Sequence, residues 1–317
     1  MIRKKIKRCF TLLELMVSMG VFAILMLALM QFFSSAQNIW TASNAKTELY
    51  ENAKIAMNLI ATDLMNLYYE HGKPGDSPKT FFLAGISNTS SSPSLKLPSS
   101  TETNFSGIAF CTLKPEPVTA PYTTGTSPKK GITRITEVFY LYDENTNKIY
   151  VKAVTDEDAK TQSGKKWCTE FNDAAGEEKE TFLYYAMTDN RYWNELISNV
   201  TGCSFSLLNN QMELLKVAEE GPNHIKIQSS DDLSDDKARI PYAVSISLTV
   251  LNQETIEKMK AMTGEDTLHD IFAAYSTIKE EKYPDTGSET EKNLWQLYHT
   301  GKQDFTRVVT IDRGQYN

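Results

Sequence analysis

The sequence predicts an α+β protein: a long N-terminal α-helix, one half membrane-inserted and one half amphipathic, packed on a β-rich head that carries a helical insertion. Three observations predict it. From Leu15 to Ala45 no residue is charged, and the stretch is mostly apolar. Beyond it, apolar residues recur as Leu49, Ala53, Met57, Ile60, Leu64 and Leu67, the three-to-four spacing of a helix with one greasy stripe. Farther on, "YAVSISLTVL" sets Val244, Ile246, Leu248 and Val250 against Ser245, Ser247 and Thr249, the alternation of a strand with one buried face.

Residues 1–9 are a basic leader carrying Arg3, Lys4, Lys5, Lys7 and Arg8. These are five of the 33 basic residues; the rest of the chain holds 28 against 40 acidic ones, so whatever follows the leader is strongly acidic. No basic patch is left for nucleic acid, and none is expected as a partner.

Residues 10–33 are expected to form a transmembrane segment, since the apolar run from Leu15 to Phe33 at about 1.5 Å per residue crosses a ~30 Å hydrocarbon core. Five positive charges before it hold the N-terminus in the cytoplasm and place the head outside. A cleaved signal peptide would need a short apolar core and a small-residue cleavage site, and no convincing A-x-A follows. A lipoprotein would have its cysteine after the apolar run, whereas Cys9 precedes it. Residues 34–70 continue the helix as its amphipathic half. No proline occurs before Pro74, and Gly20 is the only glycine before Gly72, so nothing obliges a break between about Phe10 and Tyr69.

One acid interrupts this economy. Glu14 stands at the start of the apolar run, where a carboxylate in lipid costs a few kcal/mol and calls for a partner. The basic leader followed by "FTLLELMVSMGVFAILMLALM" resembles the N-terminus of type IV prepilins and type II secretion pseudopilins. The resemblance implies that a prepilin peptidase cuts between Cys9 and Phe10, that Phe10 is then N-methylated, and that Glu14 is the acid of the mature N-terminus. A neighbouring subunit's Phe10 amine would then neutralise Glu14, a pairing suited to fixing register more than to adding strength. The alternative is a solitary Glu14 that snorkels to the cytoplasmic interface. The family usually has glycine where this chain has Cys9, another small residue.

Residues 71–131 are rich in Ser, Thr and Pro, as in "SNTSSSPSLKLPSSTETNFSG", and read as an irregular connection with one short apolar piece at Phe81 to Ile86. Residues 132–317 form the head. "ITEVFYLYDENTNKIYVKAV" reads as a hairpin turning at Asp143 to Lys148. "TFLYYAM", "ELISNVTGCSFSLLNNQMELLKV" and "DFTRVVTID" add strands, and residues of about 252–303 are a helical insertion before the last of them. That order is similar to the J-type minor pseudopilin or the W-type minor pilin, although the insertion departs from the usual plan.

The resemblance implies a non-enzymatic minor subunit near the tip of a secretion pseudopilus, anchored in the bacterial inner membrane with its head in the periplasm of a diderm cell. Its partners would be the prepilin peptidase and other minor and major pseudopilins or pilins. Two alternatives stand beside it: a minor pilin of a type IV pilus serving adhesion or DNA uptake, and an uncleaved single-pass binding protein.

An enzymatic head finds little support. His71, His224, His269 and His299 are scattered, with no H-E-x-x-H, G-x-S-x-G or P-loop spacing. Ser163 to Lys166 and Ser43 to Lys46 match S-x-x-K, a pattern short enough to arise by chance. No metal or cofactor is expected: His269 with Glu265 and Asp270 reads as a charged helix face, and Asp231, Asp232, Asp235 and Asp236 read as a solvated loop lacking the glycine and distal glutamate of a calcium hand. With Cys9 in the leader, Cys111, Cys168 and Cys203 remain for one disulfide and one spare thiol, the pairing left open.

Overall fold

A computed structural model describes residues 12–68, 82–88, 105–115, 133–155, 193–214, 225–229 and 241–311. The chain divides into two compact units, Met1–Glu48 and Leu49–Asn317. Helix α1, Leu12–Met65, runs 54 residues. Its length follows from the absence of proline, and from a single glycine, Gly20, which costs a helix interior only about 1 kcal/mol. It stops where Asn66 and Leu67 turn the backbone back on Thr62 and Leu64.

In the second unit, six strands form one antiparallel sheet in the order β5-β4-β3-β2-β1-β7. They are β1 Phe82–Asn88, β2 Phe105–Pro115, β3 Thr133–Asp143, β4 Lys148–Thr155, β5 Asn194–Ile197 and β7 Ile225–Ser229. The expected irregular region at 71–131 therefore needs correction: it supplies β1 and the interior strand β2, which pairs with β3 from Phe105↔Asp143 to Pro115↔Thr133. Cross-strand pairing overrode local composition. Ile108 through Thr112 are all buried, so β2 shows no alternation, and Ser/Pro-rich flanks hide it.

The expected hairpin is present, with Asp143 opposite Lys148. Asp143 accepts from the Asn145 amide at 3.0 Å and the Thr146 hydroxyl at 2.7 Å. Asn147 takes the left-handed φ of 55° that asparagine tolerates better than most residues. The "TFLYYAM" segment lies outside the described residues.

The second sheet has three antiparallel strands in the order β6-β8-β9: β6 Val200–Leu208, β8 Ala243–Leu251 and β9 Lys302–Thr310. β5 and β6 read as one stretch of sequence but belong to different sheets. The change is made at Asn199, φ 61°, and fixed by Val200 donating to the Asn147 carbonyl at 2.9 Å. In β8 the expected alternation holds, with Val244, Ile246, Leu248 and Val250 buried and the residues between them half-exposed.

These sheets and the last turns of α1 share one core. Leu49, Ala53, Ala56, Met57, Ile60, Ala61 and Leu64 meet Ile108, Phe110, Val138 and Tyr140 from the first sheet and Phe205, Leu207, Val244, Ile246 and Val309 from the second. Every residue of the expected stripe is buried. β9 runs alongside α1 in the same sense: Phe305 lies 5.7 Å from the Tyr50 ring, and Arg307 donates to Asn58 farther on.

Between β8 and β9 stand α2 Gln253–Thr263, α3 Leu268–Ala274, a 3₁₀ turn Ser276–Lys279 and α4 Glu289–Gly301. Each helix starts on a capping side chain: Asn252, Thr267, and Ser288 with Glu291 in a full capping box. α2 ends at Gly264, φ 76°. The insertion is thus helical as expected, with Lys302 and Gln303 belonging to β9 instead.

Candidate functional site

In the first unit α1 presents apolar side chains all round. Leu12, Met16, Phe22, Leu25, Met30 and Phe33 are each exposed by about half or more. α1 is the one helix among the described residues long and apolar enough to cross a membrane. Glu14 lies exposed in its first turn, where a negative charge complements the helix dipole. Cys9, Phe10 and the basic residues Arg3, Lys4, Lys5, Lys7 and Arg8 lie outside the described residues.

In the second unit the same helix carries a second acid, one that sequence reasoning missed. Asp63 is buried, accepts from the Tyr140 hydroxyl at 2.5 Å and pairs with the Lys114 ammonium at 2.7 Å. Tyr140 comes from β3 and Lys114 from β2, so this carboxylate binds both central strands. Burial first, and then the charge of Asp63, push the Tyr140 phenol far above its usual range. Beside them the Thr112 hydroxyl donates to the carbonyls of Asp63 and Asn66, each at 2.9 Å. Leu113 donates to the Asn66 carbonyl and Tyr68 to that of Cys111. The Thr112 bond to Asp63 satisfies a carbonyl that a helix end leaves without an intrahelical partner, and the Leu113 and Tyr68 bonds tie the segment after the helix to β2. The available signal was position: Asp63 stands three residues after Ile60 and one before Leu64, on the apolar face.

Of the chemistry considered for the head, Glu265, His269 and Asp270 fall in and before α3, and Asp270 is engaged as a cap partner of Thr267. Among the described residues no group of three His, Cys, Asp or Glu is placed to hold a metal. His299 stacks on Trp295 at 4.1 Å, and both rings bond the Glu280 carbonyl. Ser43 and Lys46 lie within α1. His71, His224, Ser163 to Lys166 and Asp231 to Asp236 lie outside the described residues. Cys111 is disulfide-bonded and Cys203 is free, while Cys168 lies outside the described residues. Burial raises the Cys203 thiol well above its usual range, so it is a packing group on β6 and not an activated nucleophile.

Residues 7–30 match the prokaryotic N-terminal methylation motif. The match covers Cys9, Phe10, Glu14 and the first turns of α1. None of the curated proteins matches the sequence. Among solved structures, a type IV-like pilin from Thermus thermophilus aligns at 9% identity with a TM-score of 0.32, over 83% of this chain and 96% of the other.

Proposed function

We propose that this chain is a non-enzymatic minor subunit of a pilin-like filament, of J or W type, cut by a prepilin peptidase between Cys9 and Phe10 and assembled through α1. The observation that carries the reading is the methylation motif at residues 7–30, at the start of the membrane-length helix. After cutting, Phe10 would carry a free, methylated amine. A second subunit's Glu14 would neutralise it, so that amine and carboxylate form a pair within an apolar surrounding. Other minor and major subunits would cover the apolar surface of α1 in the filament, and the inner membrane would cover it before assembly. The large head, lengthened by its helical insertion, supports a place near the tip, where fewer copies must stack upon it.

Intact mass of the membrane-extracted protein tests the reading. The expected mass lacks Met1 to Cys9 and includes one added methyl group. Persistence of the full-length mass in cells with a working prepilin peptidase would overturn it in favour of an uncleaved membrane anchor. The role of Glu14 has its own check: Glu14→Ala should leave the chain inserted and its head folded, yet absent from sheared filaments.

A further inference from the structure

The helical insertion sits where a hairpin turn would be. β8 and β9 are consecutive antiparallel neighbours, and their register ends with Leu251 directly opposite Lys302. Every residue of the insertion leaves and returns through this single pair. Asn252 and Gly301 close the neck, the Asn252 amide donating to the Gly301 carbonyl at 3.3 Å. A side chain at Gly301 would collide with that of Thr255, so α4 ends packed close against the first turn of α2.

The insertion also has its own core. Ile256, Met259, Leu268, Ile271, Phe272, Ile278, Leu294 and Tyr298 cluster with Leu251, and none of them belongs to the core beneath α1. Its side-chain hydrogen bonds to the rest of the head, among the described residues, include Lys279 with Glu144 at 3.1 Å and Asn199 with Gln253 at 3.0 Å, both open to solvent, and one buried pair, Thr201 with Tyr298 at 3.2 Å. Removing the two solvent-open contacts leaves groups that water can satisfy.

We propose that residues 253–300 are a separable module carried in what is otherwise a two-residue hairpin turn, and that the head folds and assembles without it. Excision joins Asn252 to Gly301 and leaves Leu-Asn-Gly-Lys. Asn-Gly is the pair best suited to a type I′ turn between paired strands. Only the assembly half of this proposal rests on the filament reading above.

The test is the full chain lacking residues 253–300, followed by hydrogen exchange and by recovery in sheared filaments. The expected result is retained amide protection at Val244, Ile246, Leu248 and Val309, with incorporation equal to that of the intact chain. Loss of protection across β6, β8 and β9 overturns the proposal. So does a folded deletion that no longer enters filaments containing the intact chain. If the intact chain itself is absent from filaments, the functional reading fails, while the exchange result still decides the folding half. A second variant guards against an unlucky junction: Leu294→Asp in the full chain should abolish protection in α2 and α4 while sparing β8, and loss in both would refute separability.

Discussion

Helix α1 contains two regions of one secondary structure that follow opposite rules. In the first unit its apolar residues face every direction and are exposed; in the second they form one stripe, from Leu49 to Leu64, that is buried under two sheets. The acids differ in the same way. Glu14 is exposed in the first turn, whereas Asp63 is enclosed with Tyr140 and Lys114 inside the chain itself. Hydrophobicity alone does not tell a helix what to pack against; its periodicity does. An all-round apolar surface requires an apolar surrounding, and a stripe requires only a neighbour.

The largest effect expected within this comparison is at the enclosed acid. Asp63→Ala leaves the Lys114 ammonium and the Tyr140 hydroxyl without their carboxylate, and should cost the head about 3–5 kcal/mol. Asp63→Leu with Tyr140→Phe and Lys114→Met replaces the group by apolar volume and should recover most of that loss. Denaturant unfolding of the soluble head measures both, and an Asp63→Ala head as stable as the parent would break the assignment.

Leu64→Ala should cost about 2–5 kcal/mol by opening a cavity in the shared core. Leu25→Ala, a similar truncation in the first unit of the same helix, should leave the thermal midpoint of the head unchanged. Equal effects at the two positions would erase the distinction between the two regions.

The smallest effect concerns protons. Cys203, Tyr140, Tyr142 and Tyr298 all hold their protons more tightly when folded, each chiefly through burial. A raised folded pKa gives stability that is complete at neutral pH and falls as pH rises past the unfolded values, about 8.5 for cysteine and about 10 for tyrosine. The head's thermal midpoint should therefore decline from pH 8 to pH 11. A flat profile would mean that water reaches these groups in the fold.

Much of this was legible in the sequence because the relevant signals are local. A helix with no proline announces its length, the stripe announces its buried face, and Asp143 to Lys148 announces a turn. What was not legible depended on partners far away in the chain. β2 is buried on both faces and looks like noise between serines; it becomes a strand only because β3 lies beside it. Asp63 stands on the apolar face of its helix, but no residue near it in sequence points to Lys114 and Tyr140 as its partners. The break between β5 and β6 at Asn199 is a change of sheet, which no periodicity within that stretch encodes.

The placement of β9 against α1 has a consequence for the order of events during synthesis. Asn58 and Arg307 are 249 positions apart, and Val309 completes the core over the stripe. The first structure to form is thus among the last to be fully covered. Until the final strand emerges, the core over the Leu49 to Leu64 stripe lacks Val309, and closing so long a loop is slow compared with forming a helix. A chain arrested shortly before Lys302 should remain protease-sensitive around β6 and β8, whereas completion of β9 should protect that sheet.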